Sequence, residues 1–269
     1  MSIRVAVGQM TSTNDKLANL LNCQKIIKKA ADLGAFMLSL PENFAFLGCV
    51  DGDSIQAAES LDGSTILAFK LSAQKYNIWL SLGGFQEIGV DNKIYNSHII
   101  INNLGEIIAC YRKIHLFSVN LSDGSSYRED QTVIAGDKIV SFETPFFRGG
   151  LTICYDLRFS HLFWALREQG AQLIFCPSAF TDTTGKAHWE ILLRARAVET
   201  QSYLLAAAQS GLHHNKRRTY GHAMIVDPWG TVIAQCGEDS DLAVAEIDLD
   251  YLAKIRKNMP VLQHRRVLT

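Results

Sequence analysis

Residues 150–176 read GLTICYDLRFSHLFWALREQGAQLIFC, and the changes of period within them decide the fold class. The apolar run at 150–154 predicts a strand, 160–169 a helix, and 173–176 a second strand. The same alternation continues outward in both directions. Upstream, strands are expected at 3–7, 36–40, 78–82, 98–101 and 107–111. Asn14 or Asp15 caps a helix with Leu17, Leu20, Leu21, Ile27 and Ala30 on one face, and Gly34 stops it. Downstream, a helix is expected at 186–200 and strands at 204–208, 223–226 and 242–247, with Asp227-Pro228-Trp229-Gly230 as the turn of a hairpin. Strands and helices mixed in this way predict an α/β protein with helices outside its sheets. No Pro/Gly/Ser-rich boundary, repeat or low-complexity tract interrupts the pattern, so residues 1–269 are expected to form a single domain. Period alone leaves open whether there is one sheet or two.

With 269 residues, 48% of them hydrophobic and 20% charged, the chain can bury a large core. A formal net charge of -1 supplies no general electrostatic hold on a phosphate backbone or an anionic membrane, so neither nucleic acid nor membrane is expected as a partner. The opening MSIRVAVGQM lacks a basic head followed by a long apolar run, and the chain is expected to be cytoplasmic. Its six cysteines, Cys23, Cys49, Cys110, Cys154, Cys176 and Cys236, form no CxxC pair and are expected to be mostly reduced thiols. The histidines show no HExxH or comparable spacing, and no metal or cofactor is expected; P-loop, GxGxxG and GxSxG patterns are also missing.

Three segments place a reactive side chain just beyond a predicted strand: LSLPENF (38–44) carries Glu42, CYRKIHLF (110–117) carries Lys113, and LTICYDLRF (151–159) carries Cys154. Strand ends are where α/β folds collect functional groups. Cys154 falls between a strand and a helix, near exposed amides that would favour the thiolate; its plain alternative is a small buried apolar residue. Asp156 and Arg158, polar directly after a buried run, are better suited to a polar pocket than to a core. Glu42 is either an exposed loop acid or, if enclosed, a base whose proton affinity burial would raise. Lys113 is either a solvated strand-end charge or the cation facing an oxygen that gains negative charge, with the backbone N–H of Tyr155 as second donor. His115 stays open as an alternative base, since Cys-His pairs are common.

PENF (41–44), YRKIHLF (111–117), YRE (127–129) and GLTICYDLRFS (150–160), in that order, resemble the nitrilase-like carbon-nitrogen hydrolases from Val5 to about Arg266. The resemblance implies an α/β/β/α sandwich of two sheets, usually dimerised, and a homodimer is therefore expected. It carries nucleophile, base and oxyanion roles onto Cys154, Glu42 and Lys113. It also implies that Glu129, in SSYREDQTV (125–133), holds Lys113 or the substrate. Residues 177–230, and LSLGGF at 80–85, look most like the deaminated-glutathione amidase branch. That branch implies attack by Cys154 on the side-chain amide of a 2-oxo acid, a thioester intermediate, and release of 2-oxoglutarate and cysteinylglycine.

Arg158 is the candidate for the 2-oxo acid's carboxylate, with an ion pair to Asp156 as its alternative. Phe180 and Thr184, in PSAFTDTTG (177–185), resemble the substrate-lining loop. The basic run at 213–218, HHNKRR, is either a solvated loop or a contact for a distal carboxylate. Two other functions compete: an omega-amidase acting on 2-oxoglutaramate, and a catalytically inactive dimeric scaffold. The joint presence of Glu42, Lys113, Glu129 and Cys154 argues against the scaffold.

Overall fold

A computed structural model describes residues 2–50, 52–121, 124, 126–214, 217–238 and 241–266. Two sheets face one another. The first runs in the order Arg217–Tyr220, Ala208–His214, Ser2–Met10, Met37–Leu40, Trp79–Ile88, Ile94–Ile101, Ile107–Arg112, and Leu242–Asp248 also pairs with Ser2–Met10. The second runs Val232–Gln235, Met224–Val226, Tyr203–Ala206, Leu173–Phe175, Arg148–Leu151, Ser141–Glu143.

Parallel neighbours require long crossovers, and helices supply them. Ser2–Met10, Met37–Leu40 and Trp79–Ile88 are parallel and are linked through the helices Lys16–Asp32 and Ser64–Tyr76. Arg148–Leu151, Leu173–Phe175 and Tyr203–Ala206 are parallel and are linked through Ser160–Glu168 and Asp182–Thr200.

The side-chain period of two sorts these strands into layers. Val5, Val7, Met37 and Ile100 face the second sheet and pack in one core with Leu151, Leu173 and Phe175. Their neighbours Ala6, Leu38, Leu40, Ile99 and Ile101 face outward and pack with Ile26 and Ile27 of one helix and Ile66 and Phe69 of another. Each fully buried aliphatic side chain contributes roughly 1.5–3 kcal/mol of transfer free energy. Strands covered on both faces therefore read as unbroken apolar runs. This is the four-layer α/β/β/α sandwich the resemblance implied.

The structure corrects several local expectations. Asp15 caps the first helix by accepting from the Ala18 amide, but Leu17 and Leu21 are 69% and 56% exposed. The inward face carries Asn19, Cys23, Ile26, Ile27 and Ala30. Asn19 is drawn in because its amide donates to Thr13 O and Ala45 O while its oxygen accepts from Thr13 N. The strand expected at 150–154 ends at Leu151, and Cys154–Arg158 is a 3-10 turn. The run at 204–208 is divided: Tyr203–Ala206 belongs to the second sheet, and Ala208–His214 starts in the first.

The expected hairpin forms between Met224–Val226 and Val232–Gln235, its turn held by Asp227 Oδ1 accepting from Trp229 N and Thr231 N. Among the described residues all six cysteines are free. No described helix is long and apolar enough to cross a membrane.

Candidate active site

Three strand ends open onto one cavity of about 370 Å³. Glu42 lies two residues past Met37–Leu40, Lys113 directly follows Ile107–Arg112, and Cys154 lies three residues past Arg148–Leu151. All three side chains line that cavity, together with Glu129.

Glu42 is 4% exposed and reaches its position because two glycines make room. Gly84 has a φ of +65°, and a Cβ there would meet Glu42 Cα at 2.8 Å and Asn43 N at 2.7 Å. A Cβ on Gly83 would meet Pro177 at 2.1 Å. The GG pair of LSLGGF is thus a close backbone crossing. From the other side, Gln209 Nε2 donates to Glu42 O at 3.0 Å.

The Lys113 ammonium, 2% exposed, donates to Glu42 Oε1 at 3.0 Å and to Glu129 Oε1 and Oε2 at 3.0 and 2.8 Å. Asn96 Nδ2 bridges the same two carboxylates at 2.9 and 3.0 Å. Glu42 Oε2 accepts from Ala179 N at 3.0 Å, and Glu129 Oε2 from Phe117 N at 2.6 Å. Cys154 lines the cavity beside these groups and feels the charges of both Glu42 and Lys113. A buried cation with paired carboxylates is stable only when its geometry is this complete.

Burial pushes the Glu42 carboxyl up, but the charge of Lys113, the neighbouring Cys154 thiol and the bonds from Lys113 and Asn96 outweigh it and hold Glu42 below the usual carboxylate range. Burial and the charge of Glu42 push the Cys154 thiol well up, against the opposing pull of Lys113 and the Ala179 amide. Burial works against the charge on Lys113, yet Glu129, Glu42 and Cys154 hold it well above its ordinary value. Two expectations are therefore reversed. The resting sulfur is a thiol rather than a thiolate, and Glu42 is a ready carboxylate whose proton affinity is lowered rather than raised.

Cys154 has a φ of +47°, the left-handed region that non-glycine residues seldom occupy. The turn is fastened on both sides. Thr152 O meets His98 Nδ1 at 3.0 Å, and Cys154 N donates to Pro177 O at 3.0 Å. Asp156 is fully buried and lies outside the lining of this cavity, contrary to its expected place. Its carboxylate accepts from Tyr111 OH at 2.7 Å and Ile153 N at 2.8 Å, and from both the amide and Nδ1 of His115 at 3.1 and 2.7 Å. Asp156 thus ties the segment carrying Lys113 to the turn carrying Cys154. His115 is turned to Asp156 and stacked on Phe159 at 3.7 Å, and it is not among the residues lining the cavity. The amide of Tyr155 has no acceptor among the described residues.

A narrow recess of about 20 Å³ adjoins Cys154 and is lined by Tyr155, Arg158, Phe180 and Thr184. Arg158 does not pair with Asp156; Nη2 lies 3.3 Å from His188 Nδ1, and its guanidinium stands over the Tyr155 and Phe180 rings. Phe180 serves both recess and core, packing on Trp189 at 5.0 Å. Thr184 Oγ1 bonds Thr181 Oγ1 at 2.8 Å.

The basic run divides. His213 is buried between Ser12 O and Thr219 Oγ1, with burial holding its imidazole down to about 4. His214 and Arg217 line the cavity, Arg218 is exposed, and Asn215 and Lys216 lie outside the described residues. Asn96 and the Ala179 amide were missed in the sequence. The one signal for Asn96 was the polar triplet Asn96-Ser97-His98 interrupting an apolar strand.

Residues 4–257 match the family model described as carbon-nitrogen hydrolase. The chain is 49% identical over 267 residues to a deaminated glutathione amidase of Bos taurus, covering 97% of this chain and 81% of that protein. It is 44% identical to a deaminated glutathione amidase of Synechocystis sp., with 97% of each chain covered. Among solved structures, the C. elegans NitFhit protein superposes with a TM-score of 0.93 at 44% identity, covering 98% of this chain. This chain spans 65% of the length of that protein.

Proposed function

Because this chain belongs to the carbon-nitrogen hydrolase family and is a hydrolase of carbon–nitrogen bonds, we propose that it is a thiol-dependent amidase acting through a cysteine thioester, with deaminated glutathione as substrate. The observation that carries the reading is that Cys154, Glu42 and Lys113 meet on one cavity, with the Glu42 carboxylate held by Lys113 at 3.0 Å. As substrate arrives, the thiol proton passes to Glu42 while sulfur bonds to the amide carbon, and the carbonyl electron pair moves to oxygen. Lys113 and the Tyr155 amide stabilise that oxyanion. Collapse breaks the C–N bond, and Glu42 returns its proton to the departing amine. Water then attacks the thioester, giving a proton to Glu42; the C–S bond breaks, and the sulfur recovers the proton as the acid leaves. Glu129 positions Lys113 throughout.

In this reading Arg158 holds the carboxylate of the 2-oxo acid, Phe180 packs on its aliphatic chain and Thr184 offers a polar contact. The two relatives named as deaminated glutathione amidases support the substrate, as does a cavity of ordinary small-ligand size. The rate on deaminated glutathione is expected to exceed that on 2-oxoglutaramate; the reverse order, measured by release of 2-oxoglutarate, would make the chain an omega-amidase instead. We further propose that the whole chain acts as one domain and forms a homodimer. Exposed Ile191, Val198 and Trp229 favour this, since the turn carrying Trp229 packs on the helix carrying the other two.

The resting charge states set the pH dependence. Glu42, held low, must be ionised, so the acid limb of kcat/KM lies below the usual carboxylate range. Cys154 and Lys113, both held high, place no limb near the ordinary thiol value. A plateau from about pH 5 to about pH 9 is expected in kcat/KM. An alkaline-rising limb centred near about 8.5 would mean that free thiolate is the reactive form.

A further inference from the structure

The charges of the large cavity fall into two groups. Glu42, Glu129 and Lys113 are bonded to one another, and these are the only ion pairs among the described cavity residues. Arg128 and Arg217 line the same cavity with no carboxylate partner among the described residues. Arg128 is fixed by donating to Val119 O, Tyr127 O and Asn120 Oδ1. Arg217 lies over the Tyr127 ring at 5.9 Å. Its Nε and the Nε2 of His214, its partner across the paired strands Ala208–His214 and Arg217–Tyr220, are buried without a hydrogen-bond partner among the described residues. A buried guanidinium N–H calls for an acceptor, and none of the described residues supplies one there. Two cations without a carboxylate partner and two unfilled polar atoms, all on the lining of one cavity, favour an anion.

Cys154 borders both this cavity and the recess holding Arg158, so an amide whose carbon meets the sulfur has an arm in each. Resting on the reading that Arg158 takes the acyl carboxylate, we propose that Arg217, with His214 and Arg128, binds a carboxylate on the departing amine. The enzyme is thereby specific for amides whose leaving group is an amine with an anionic terminus, such as a peptide with a free C-terminus. An ammonia-releasing amide leaves these groups unfilled.

The test uses a matched pair of substrates: 2-oxoglutarate joined through its side-chain amide to cysteinylglycine with a free C-terminal carboxylate, and the same compound ending in a carboxamide. The parent protein is expected to favour the free carboxylate by about tenfold to a hundredfold in kcat/KM, the range of a charge-assisted hydrogen bond. In Arg217→Gln that ratio falls toward one, mainly through KM, and Arg217→Lys restores part of it. Parent hydrolysis of both compounds at equal rates overturns the inference. An unchanged ratio in a folded Arg217→Gln, checked by its melting temperature, also overturns it, as does an equal loss of kcat on both compounds. If the parent hydrolyses neither compound, the failure lies with the amidase reading itself.

Discussion

Cys154→Ala is expected to abolish turnover, with a loss of about 10⁴-fold or more in kcat, and to form no acyl adduct by intact-mass spectrometry during incubation with deaminated glutathione. The substitution removes the one atom that can bond to the amide carbon and leaves the surrounding network of Glu42, Lys113 and Glu129 in place. It also relieves little packing, because the side chain lies at the edge of the cavity and alanine shares its Cβ. A folded, inactive variant is therefore expected. Residual turnover within tenfold of the parent would remove Cys154 as nucleophile. A parent protein that forms no adduct and turns over no 2-oxo-acid amide would point to the inactive scaffold instead.

Glu42→Gln is expected to lower kcat by about 10³-fold while the protein stays folded, since general acid–base catalysis of two successive steps is lost. The amide keeps the shape of the carboxylate, and its oxygen can still accept from Lys113 and Asn96. Its effect on the sulfur has a definite sign. The charge of Glu42 is one of the causes holding the Cys154 thiol high, so removing it moves the thiol down toward its ordinary value. Alkylation of Cys154 by iodoacetamide, followed against pH, is expected to show a lower midpoint in Glu42→Gln than in the parent even as amide hydrolysis collapses. Parallel loss of alkylation and turnover would mean that the substitution disturbs the turn at Cys154 rather than the proton transfer.

The same pair shows why the charge states escaped the sequence. From LSLPENF alone, enclosure of Glu42 raises its proton affinity; whether an ammonium lies 3.0 Å away depends on residue 113, which is 71 positions distant. Asp156 shows the same limit in the opposite direction. A carboxylate after a buried strand reads as pocket-facing, yet four donors from two segments make full burial favourable. Asn19 took an inward position for a similar reason, displacing Leu17 and Leu21 from the face that period alone assigned to them. In each case a polar group finds at least one partner that is remote along the chain, and a residue-by-residue pattern carries no record of it.

What the chain determined by itself is the succession of strands and helices, because side-chain period and turn chemistry act over a few neighbouring residues. The polar strand-end positions of Glu42, Lys113 and Cys154 were legible on the same ground: a charged or reactive group just past an apolar run is a local fact. Only the tertiary structure decided how the strands divide between two large sheets and a two-stranded ribbon, that the chain crosses between the large sheets after Ala206, and that the three strand ends meet on one cavity. It also decided that Arg217 and His214 turn into that cavity while His213 turns away from it. Those outcomes depend on long-range pairing and on charges brought within a few ångströms, and both arise only when distant segments pack.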